Sequence, residues 1–351
     1  MIKNIHLICF RNHLNFKAEL DSELVVISGE NGAGKTNILE AISLFAPGRS
    51  FRNCKFDEII NNQEVSCNEW GVHITFRDMK FSTGYFPNFL RKIKKNGEHL
   101  KSQSDILKDI KVLWLLPQME NIFLGPASSR RKFFDSICYN LFPEHAKNIL
   151  RYEYYLKSRL KLLQTECIDT DWLNSVESNL AKFTILIQES RKSTLDILKE
   201  QIKNISSKFL RPDIELVNLI EPLENEFILR SFNQCRILDK KSGRSNFGAH
   251  KTDLLVIDHN KGQKAELCST GEQKALLISF FLTQALAIKT INGIAPIMLM
   301  DEILAYFDPL KQAEVINELR NLSTQIWITT TKSKEDFFKF LDNNRCSWLG
   351  L

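Results

Sequence analysis

The sequence predicts an α/β phosphate-loop fold: a head of mixed and antiparallel sheets with helices, opened by an inserted compact helical lobe. Three observations carry this. Gly29-Glu30-Asn31-Gly32-Ala33-Gly34-Lys35-Thr36 reads G-x-x-x-x-G-K-[ST]. A second apolar run, residues 296–300, ends in Asp301-Glu302, far downstream of the loop. Between them lies a long stretch of helical periodicity.

The loop has the flanks its chemistry requires. Residues 24–27 (LVVI) form a short apolar run of buried-strand type, and residues 37–44 continue with helical spacing. Glycines let successive backbone N–H groups face a triphosphate at the helix N-terminus, where the dipole favours negative charge. Lys35 is then placed to reach the β- and γ-phosphates of ATP, and the Thr36 hydroxyl to ligate Mg²⁺. An acid at the end of a neighbouring buried strand holds that magnesium in phosphate-loop proteins, which suits Asp301. Glu302, one residue later, is placed to polarise the attacking water.

In chain order, residues 1–117 combine strands with the loop helix. Residues 70–85 and 90–100 read as hairpins, which suggests a mixed sheet on the head. Residues 118–212 read as helical. Val176, Leu180, Phe183, Ile187, Leu198, Ile202, Ile205 and Phe209 form an apolar stripe, interrupted by Ser190 and Thr194. Ile149, Leu156, Leu160 and Leu163 make a shorter partner, and Pro212 is expected to end the long helix. At 1.5 Å per residue that helix would be roughly 50 Å long, a compact lobe rather than a rod. Residues 213–351 return to strands, with Asn260-Lys261-Gly262 as a hairpin turn. They supply the Asp301 strand and a terminal αβ segment.

Leu267-Cys268-Ser269-Thr270-Gly271-Glu272-Gln273-Lys274 precedes an apolar helix over residues 275–288. A serine and a glycine exposed at a helix start make an anion-binding surface. Ser269 with Glu272 three residues later also reads as a capping box, and both readings are compatible. The segment resembles the signature motif of ABC-type ATPases, which contacts the γ-phosphate held by the opposite subunit.

The resemblance narrows with CSTGEQKALLISFFLTQA at 268–285, GRSFR at 48–52, GAHKTDL at 248–254 and LLPQMENIFLGPASSRRKFFD at 115–135. Together, in this order and through nearly the whole chain, they are similar to the RecF family, relatives of the SMC and Rad50 heads. The resemblance implies a DNA-dependent ATPase that dimerises on ATP, uses hydrolysis as a switch, and binds single- and double-stranded DNA. It implies action with RecR and RecO in loading RecA at gaps, in the cytoplasm on the nucleoid. It also implies that Gln118 senses magnesium and water. Asp308 would cross the dimer interface near Ser269 and Gly271. Thr329-Thr330-Thr331 would stand where many ABC ATPases place a γ-phosphate histidine. The chain departs from the family at Ala249, Lys251 and Phe307, where proline, arginine and leucine are usual. Lys251 keeps the charge but loses the bidentate fork.

Composition fits a soluble protein: 351 residues, 43% hydrophobic and 25% charged. The N-terminus has no secretory apolar core, and the apolar run at 275–288 is too short to span a bilayer. No membrane partner is therefore expected. Eight cysteines without a C-x-x-C pair argue against zinc and a disulfide framework, and suit a reducing compartment. Net charge is +5. Arg91, Lys92, Lys94 and Lys95 cluster before a hairpin turn. Arg130, Arg131 and Lys132 open a helix, and Lys157, Arg159 and Lys161 lie along another. Each group reads alone as a solvated face. The family resemblance makes them candidates for a phosphate-contacting surface without base readout. Two other classes compete: an SMC- or Rad50-like tethering head, against which the short arm counts, and a transporter energy subunit. The long separation of loop from signature and the threonine strand end count against the second.

Overall fold

Strand pairing in a computed structural model, which describes residues 1–62, 67–89, 91–167, 169–206, 209–302, 309–339 and 346–351, gives three sheets, two antiparallel and one parallel, in the mixed α/β architecture that was expected. By contacts the chain forms two units, residues 1–119 with 288–351, and residues 120–287.

The first unit begins with β1 (Ile2–Phe10) and β2 (His13–Glu19), then β3 (Leu24–Ser28) and α1 (Lys35–Ser43). Two further hairpins follow, β4 (Trp70–Phe76) with β5 (Met79–Tyr85), and β6 (Lys92–Lys95) with β7 (Glu98–His99), and then β8 (Val112–Leu115). The expected hairpins are present. Their turns, Arg77-Asp78 and Asn96-Gly97, carry positive φ at both central residues, as two-residue turns that match strand twist require. Among the described residues they form an antiparallel sheet in the order β2-β1-β4-β5-β6-β7. One face of it is apolar: Ile5, Leu7, Val72, Ile74, Phe81 and Ile93 enter the core of this unit. Cys9 and Cys67 are paired as a disulfide, with Cα atoms 5.9 Å apart. This corrects the expectation that the cysteines make no such bond. It was unreadable because only the fold brings the two residues, 58 apart in sequence, together.

The second unit holds α2 (Ala127–Leu141), α3 (Glu144–Gln164), α4 (Thr170–Ile202), β9 (Pro212–Val217), α5 (Asn225–Ser242), β10 (Asp253–Asp258) and β11 (Gln263–Lys264). It also holds most of α6 (Thr270–Asn292). The helical lobe therefore does not close at residue 212. The apolar face of α4 is covered by Ile220, Ile228, Phe232 and Ala249, all later in the chain, so residues 213–287 group with the helices. The eight stripe residues are all buried. The helix nonetheless ends at Ile202, and Pro212 opens a strand instead of ending a helix. Of the two interruptions of the stripe, Ser190 has a partner, its Oγ lying 2.5 Å from His145 Nδ1, and Thr194 is fully buried. Helix α6 runs to 23 residues, longer than expected and long and apolar enough by composition to cross a membrane. Two-thirds of its most apolar window is buried, as befits a core helix.

The first unit resumes with β12 (Ile297–Met300), α7 (Pro309–Asn321), β13 (Ile326–Thr330), α8 (Lys334–Phe338) and β14 (Cys346–Gly350). These complete a parallel sheet in the order β14-β3-β13-β12-β8. Strands β3 and β12 are near-continuous Val, Ile, Leu and Met, the composition of strands buried on both faces.

Candidate functional site

The parallel sheet sets the site. Chain reversal after β3 forms the glycine loop, and β12 ends in Asp301 and Glu302. Strand β13 lies between these two and ends in Thr329-Thr330. Groups at the carboxyl ends of parallel strands thus converge beside the start of α1, the usual place for a ligand on such a sheet.

Gly32 and Gly34 take φ of 88° and 101°, which a side chain would strain. Space forbids one at Gly34 as well, because a Cβ there would stand 2.4 Å from Asn12 Oδ1 and 2.7 Å from His13 Nε2. These two residues latch the loop. Asn12 Nδ2 donates to the Ala33 carbonyl (3.0 Å), His13 Nε2 to the Gly34 carbonyl (3.1 Å), and Asn37 Nδ2 to Asn12 Oδ1 (2.7 Å). Sequence reading missed both. Their only signal is a polar break between two strand runs, which is too common to point anywhere. Burial holds the His13 pKa below its ordinary value, so it favours the neutral ring.

Lys35 is almost wholly buried. Its Nζ donates to the carbonyls of Gly29 (2.8 Å) and Glu30 (3.0 Å) and stands 3.6 Å from Glu302 Oε1. Thr36 Oγ1 donates to Asp301, 2.9 Å from Oδ1 and 3.0 Å from Oδ2. Thr329 Oγ1 donates to Asp301 Oδ1 at 2.8 Å and accepts the Glu302 backbone N–H at 2.8 Å. Burial pushes the Asp301 carboxyl up, against the hydrogen bonds of Thr329 and Thr36. Thr329 is thus turned onto the acid, and with Thr330, Thr331, Asn31 and Glu302 it lines a small cavity of about 140 Å³. Thr36 and Asp301 together offer the oxygen donors a hard divalent cation prefers.

A buried carboxylate anchors α1 behind the loop. Glu40 accepts two N–H bonds from Arg11 (2.9 Å each), one from Arg52 (2.9 Å) and the Ser50 hydroxyl (2.8 Å). Burial alone raises its pKa, but Arg11, Ser50 and Arg52 outweigh that and hold it below the ordinary value. Arg52, from the GRSFR segment, also donates to Asn37 Oδ1 at 2.7 Å.

In the other unit, the start of α6 is the capping box that the spacing predicts. Glu272 accepts from the Ser269 backbone N–H and hydroxyl (2.9 Å each), and Ser269 Oγ accepts the Glu272 N–H at 3.4 Å. Lys261 and Ser269 hold the Glu272 pKa down to about 2. Ser269, Thr270 and Gly271 are exposed, and a Cβ on Gly271 would meet nothing within 4 Å. Gln118 is exposed on a single turn after β8. Asp308 and Phe307 lie outside the described residues. His250 of the GAHK segment is structural: Tyr152 Oη lies 2.7 Å from its Nδ1, its Nε2 donates to the Ser245 carbonyl (3.0 Å), and Lys251 is exposed.

Half of the residues in the basic clusters are not a solvated face. Arg91 is 5% exposed, bonded to Thr83 Oγ1 (2.9 Å) and to the Leu44 and Gly48 carbonyls, and Lys95 pairs with Asp109 (2.7 Å). Arg130 forks onto Asp253 (2.5 and 3.0 Å), and Arg131 donates to the Thr252 carbonyl (2.9 Å). Arg159 is fully buried between Glu177 (2.8 Å) and Asp239 (2.5 Å). Lys92, Lys94, Lys132, Lys157 and Lys161 remain on the surface. Asp135, Cys138 and His145 approach one another closely enough for a metal. Arg191 instead occupies both Asp135 oxygens (2.8 and 2.9 Å), so the group is an ion-pair network.

Residues 1–344 match the family described as RecF/RecN/SMC N terminal domain. The chain is similar to the DNA replication and repair protein RecF of Rickettsia akari (strain Hartford), 36% identical over 338 residues, which is 94% of each chain. It is similar to a solved structure of the recombination mediator protein RecF-ATPrS in the RecFOR pathway. That match has a TM-score of 0.86 and 25% identity, and covers 99% of this chain and 96% of that one. An SMC head bound to the C-winged helix domain of ScpA shares the fold, at a TM-score of 0.55 and 17% identity over 95% and 90% of the two chains.

Proposed function

The chain belongs to the RecF family, and from that membership we propose that it is an ATP-dependent DNA-binding protein of recombinational repair and replication restart. The observation that carries the reading is the continuous chain Thr36–Asp301–Thr329–Glu302 beside Lys35. The backbone N–H groups of residues 29–36 bind the triphosphate, and Lys35 neutralises the β- and γ-phosphates. Thr36 and Asp301 would hold Mg²⁺, with Gln118 nearby in the family pattern. The ion would neutralise charge on the phosphate oxygens. Glu302 takes the proton of the attacking water. Thr329 fixes Asp301 and the start of the Glu302 backbone, so acid and base keep their spacing. Hydrolysis is slow and serves as a switch.

Two copies close on ATP, with Ser269, Gly271 and Asp308 of each completing the other's site. The closed homodimer binds single- and double-stranded DNA at gaps, and with RecR and RecO helps load RecA. Its compartment is the cytoplasm, on the nucleoid, without a membrane partner. Size-exclusion chromatography with light scattering, with and without ATP and a gapped duplex, tests this. The expected result is a monomer that becomes a DNA-bound dimer only with nucleotide. Binding should fall with salt at a log–log slope of about −0.9 per phosphate neutralised on duplex. DNA binding indifferent to nucleotide would contradict the reading.

A further inference from the structure

The solvent face of the antiparallel sheet is not used by any step above. Register places Lys17, His6, His73, Ser82, Lys94 and His99 in one row across all six strands. The adjacent row is Asn15, Ile8, Gly71, Gly84 and Lys92. Neither row contains a carboxylate. Lys95 shares the opposite face with Phe81, which is why it meets Asp109 and is no part of this surface.

Gly71 and Gly84 lower the floor of the second row and open a groove of about 660 Å³. A Cβ on Gly84 would stand 2.6 Å from the Trp70 carbonyl, so no larger residue fits there without moving the strands. Past the end of β5, Phe86-Pro87-Asn88-Phe89 makes a turn closed by the Phe89 N–H on the Phe86 carbonyl (3.1 Å). Proline at its second position and Asn88 at φ 67° at its third set the turn locally. The turn holds out two rings, Phe86 51% and Phe89 74% exposed, beside Lys92 and Lys94 on the same groove. Among the described residues that line it, none is acidic. Fixed aromatic rings beside cations, on an open sheet, are the two parts of a single-strand platform: rings stack bases and cations track phosphates. A duplex keeps its base faces stacked inside and offers nothing to the rings.

We propose that this groove binds single-stranded DNA, with bases on Phe86 and Phe89 and phosphates on Lys92 and Lys94. The inference rests on the DNA-binding reading and adds to it the place and manner in which a single strand is held. The test is fluorescence anisotropy with a labelled oligo(dT) and with a duplex of the same length, in the presence of ATP. Both phenylalanines are largely exposed, so Phe86→Ala/Phe89→Ala should fold as the parent does. It should lose at least tenfold in oligo(dT) affinity, since each base–aromatic stack is worth roughly fivefold to 150-fold. Duplex affinity and ATP-driven dimerisation should not change. Lys92→Ala/Lys94→Ala should flatten the single-strand salt slope by about 1.4, at 0.7 per phosphate. Photocrosslinking of a bromodeoxyuridine-substituted oligonucleotide to the parent protein should map to residues 82–94. Oligo(dT) affinity within twofold of the parent in the phenylalanine variant, or crosslinks only elsewhere, would overturn the groove. A parent protein that binds duplex with ATP but not oligo(dT) would overturn the groove and the single-strand part of the DNA-binding reading, and leave the duplex part standing. Binding to neither would overturn the DNA-binding reading and the groove with it.

Discussion

Glu302→Gln should still bind ATP but hydrolyse it about 10²- to 10⁴-fold more slowly, the range a positioned general base contributes. The substitution keeps the side-chain shape and the backbone N–H bond to Thr329 Oγ1, and removes only the basic oxygen. Lys35→Met should fail one step earlier. Its ammonium, buried and held by the Gly29 and Glu30 carbonyls, is the cation at the phosphate end of the loop. A methionine there fills the volume but leaves the triphosphate charge unanswered. Calorimetric titration with ATP separates the two variants, and phosphate release measures turnover. Near-parental turnover in Glu302→Gln would remove Glu302 from the chemistry. ATP binding retained in Lys35→Met would remove the loop lysine from the phosphates.

The largest effect on stability is expected away from the loop, at Arg159. Its guanidinium is fully buried and donates to Glu177, Asp239 and the Phe232 carbonyl. Arg159→Met keeps the bulk and takes the guanidinium from three buried acceptors, of which Glu177 is still held by Arg236 at 2.6 Å. Breaking a buried pair from one side costs about 3–5 kcal/mol. At roughly 2–4 °C per kcal/mol for a unit of this size, the melting temperature should fall by about 6–20 °C. Thermal unfolding followed by circular dichroism measures it. A shift under about 2 °C would mean that water already solvates Glu177 and Asp239.

Arg159 also shows where the sequence stops informing. The loop and the Asp301 strand are legible because each is a contiguous pattern whose local geometry is its function. The α4 stripe and the hairpins are legible because burial follows a period of 3.6 or 2. What a given arginine does is set by what lies across the fold. Arg91, Arg130, Arg131 and Arg159 look like surface cations in one dimension, yet each meets a carbonyl or carboxylate distant in sequence. The Asn12–His13 latch and the Cys9–Cys67 pair were hidden for the same reason. The limit of the lobe was misplaced because the residues that cover α4 come after Pro212, where local pattern shows only a strand. The polar breaks at Ser190 and Thr194 were read as flaws in a stripe. Ser190 is in fact part of a buried network with His145 and Asp135.

In the proposed dimer each ATP site is completed by a second copy of the chain. Ser269 and Gly271 sit exposed at the start of α6, where an arginine at 269 alters the outer surface and gives up the side-chain bonds between Ser269 and Glu272. Ser269→Arg should therefore bind nucleotide as a monomer yet fail to dimerise or hydrolyse, and Lys35→Met should fail for want of a phosphate site. The deciding measurement is ATP hydrolysis by an equimolar mixture of these two inactive proteins, with heterodimers verified through distinct tags. Hydrolysis should be recovered, from the one site that joins the intact loop of one chain to the intact Ser269 of the other. A mixture no more active than either variant alone, with heterodimers present, would contradict the shared site.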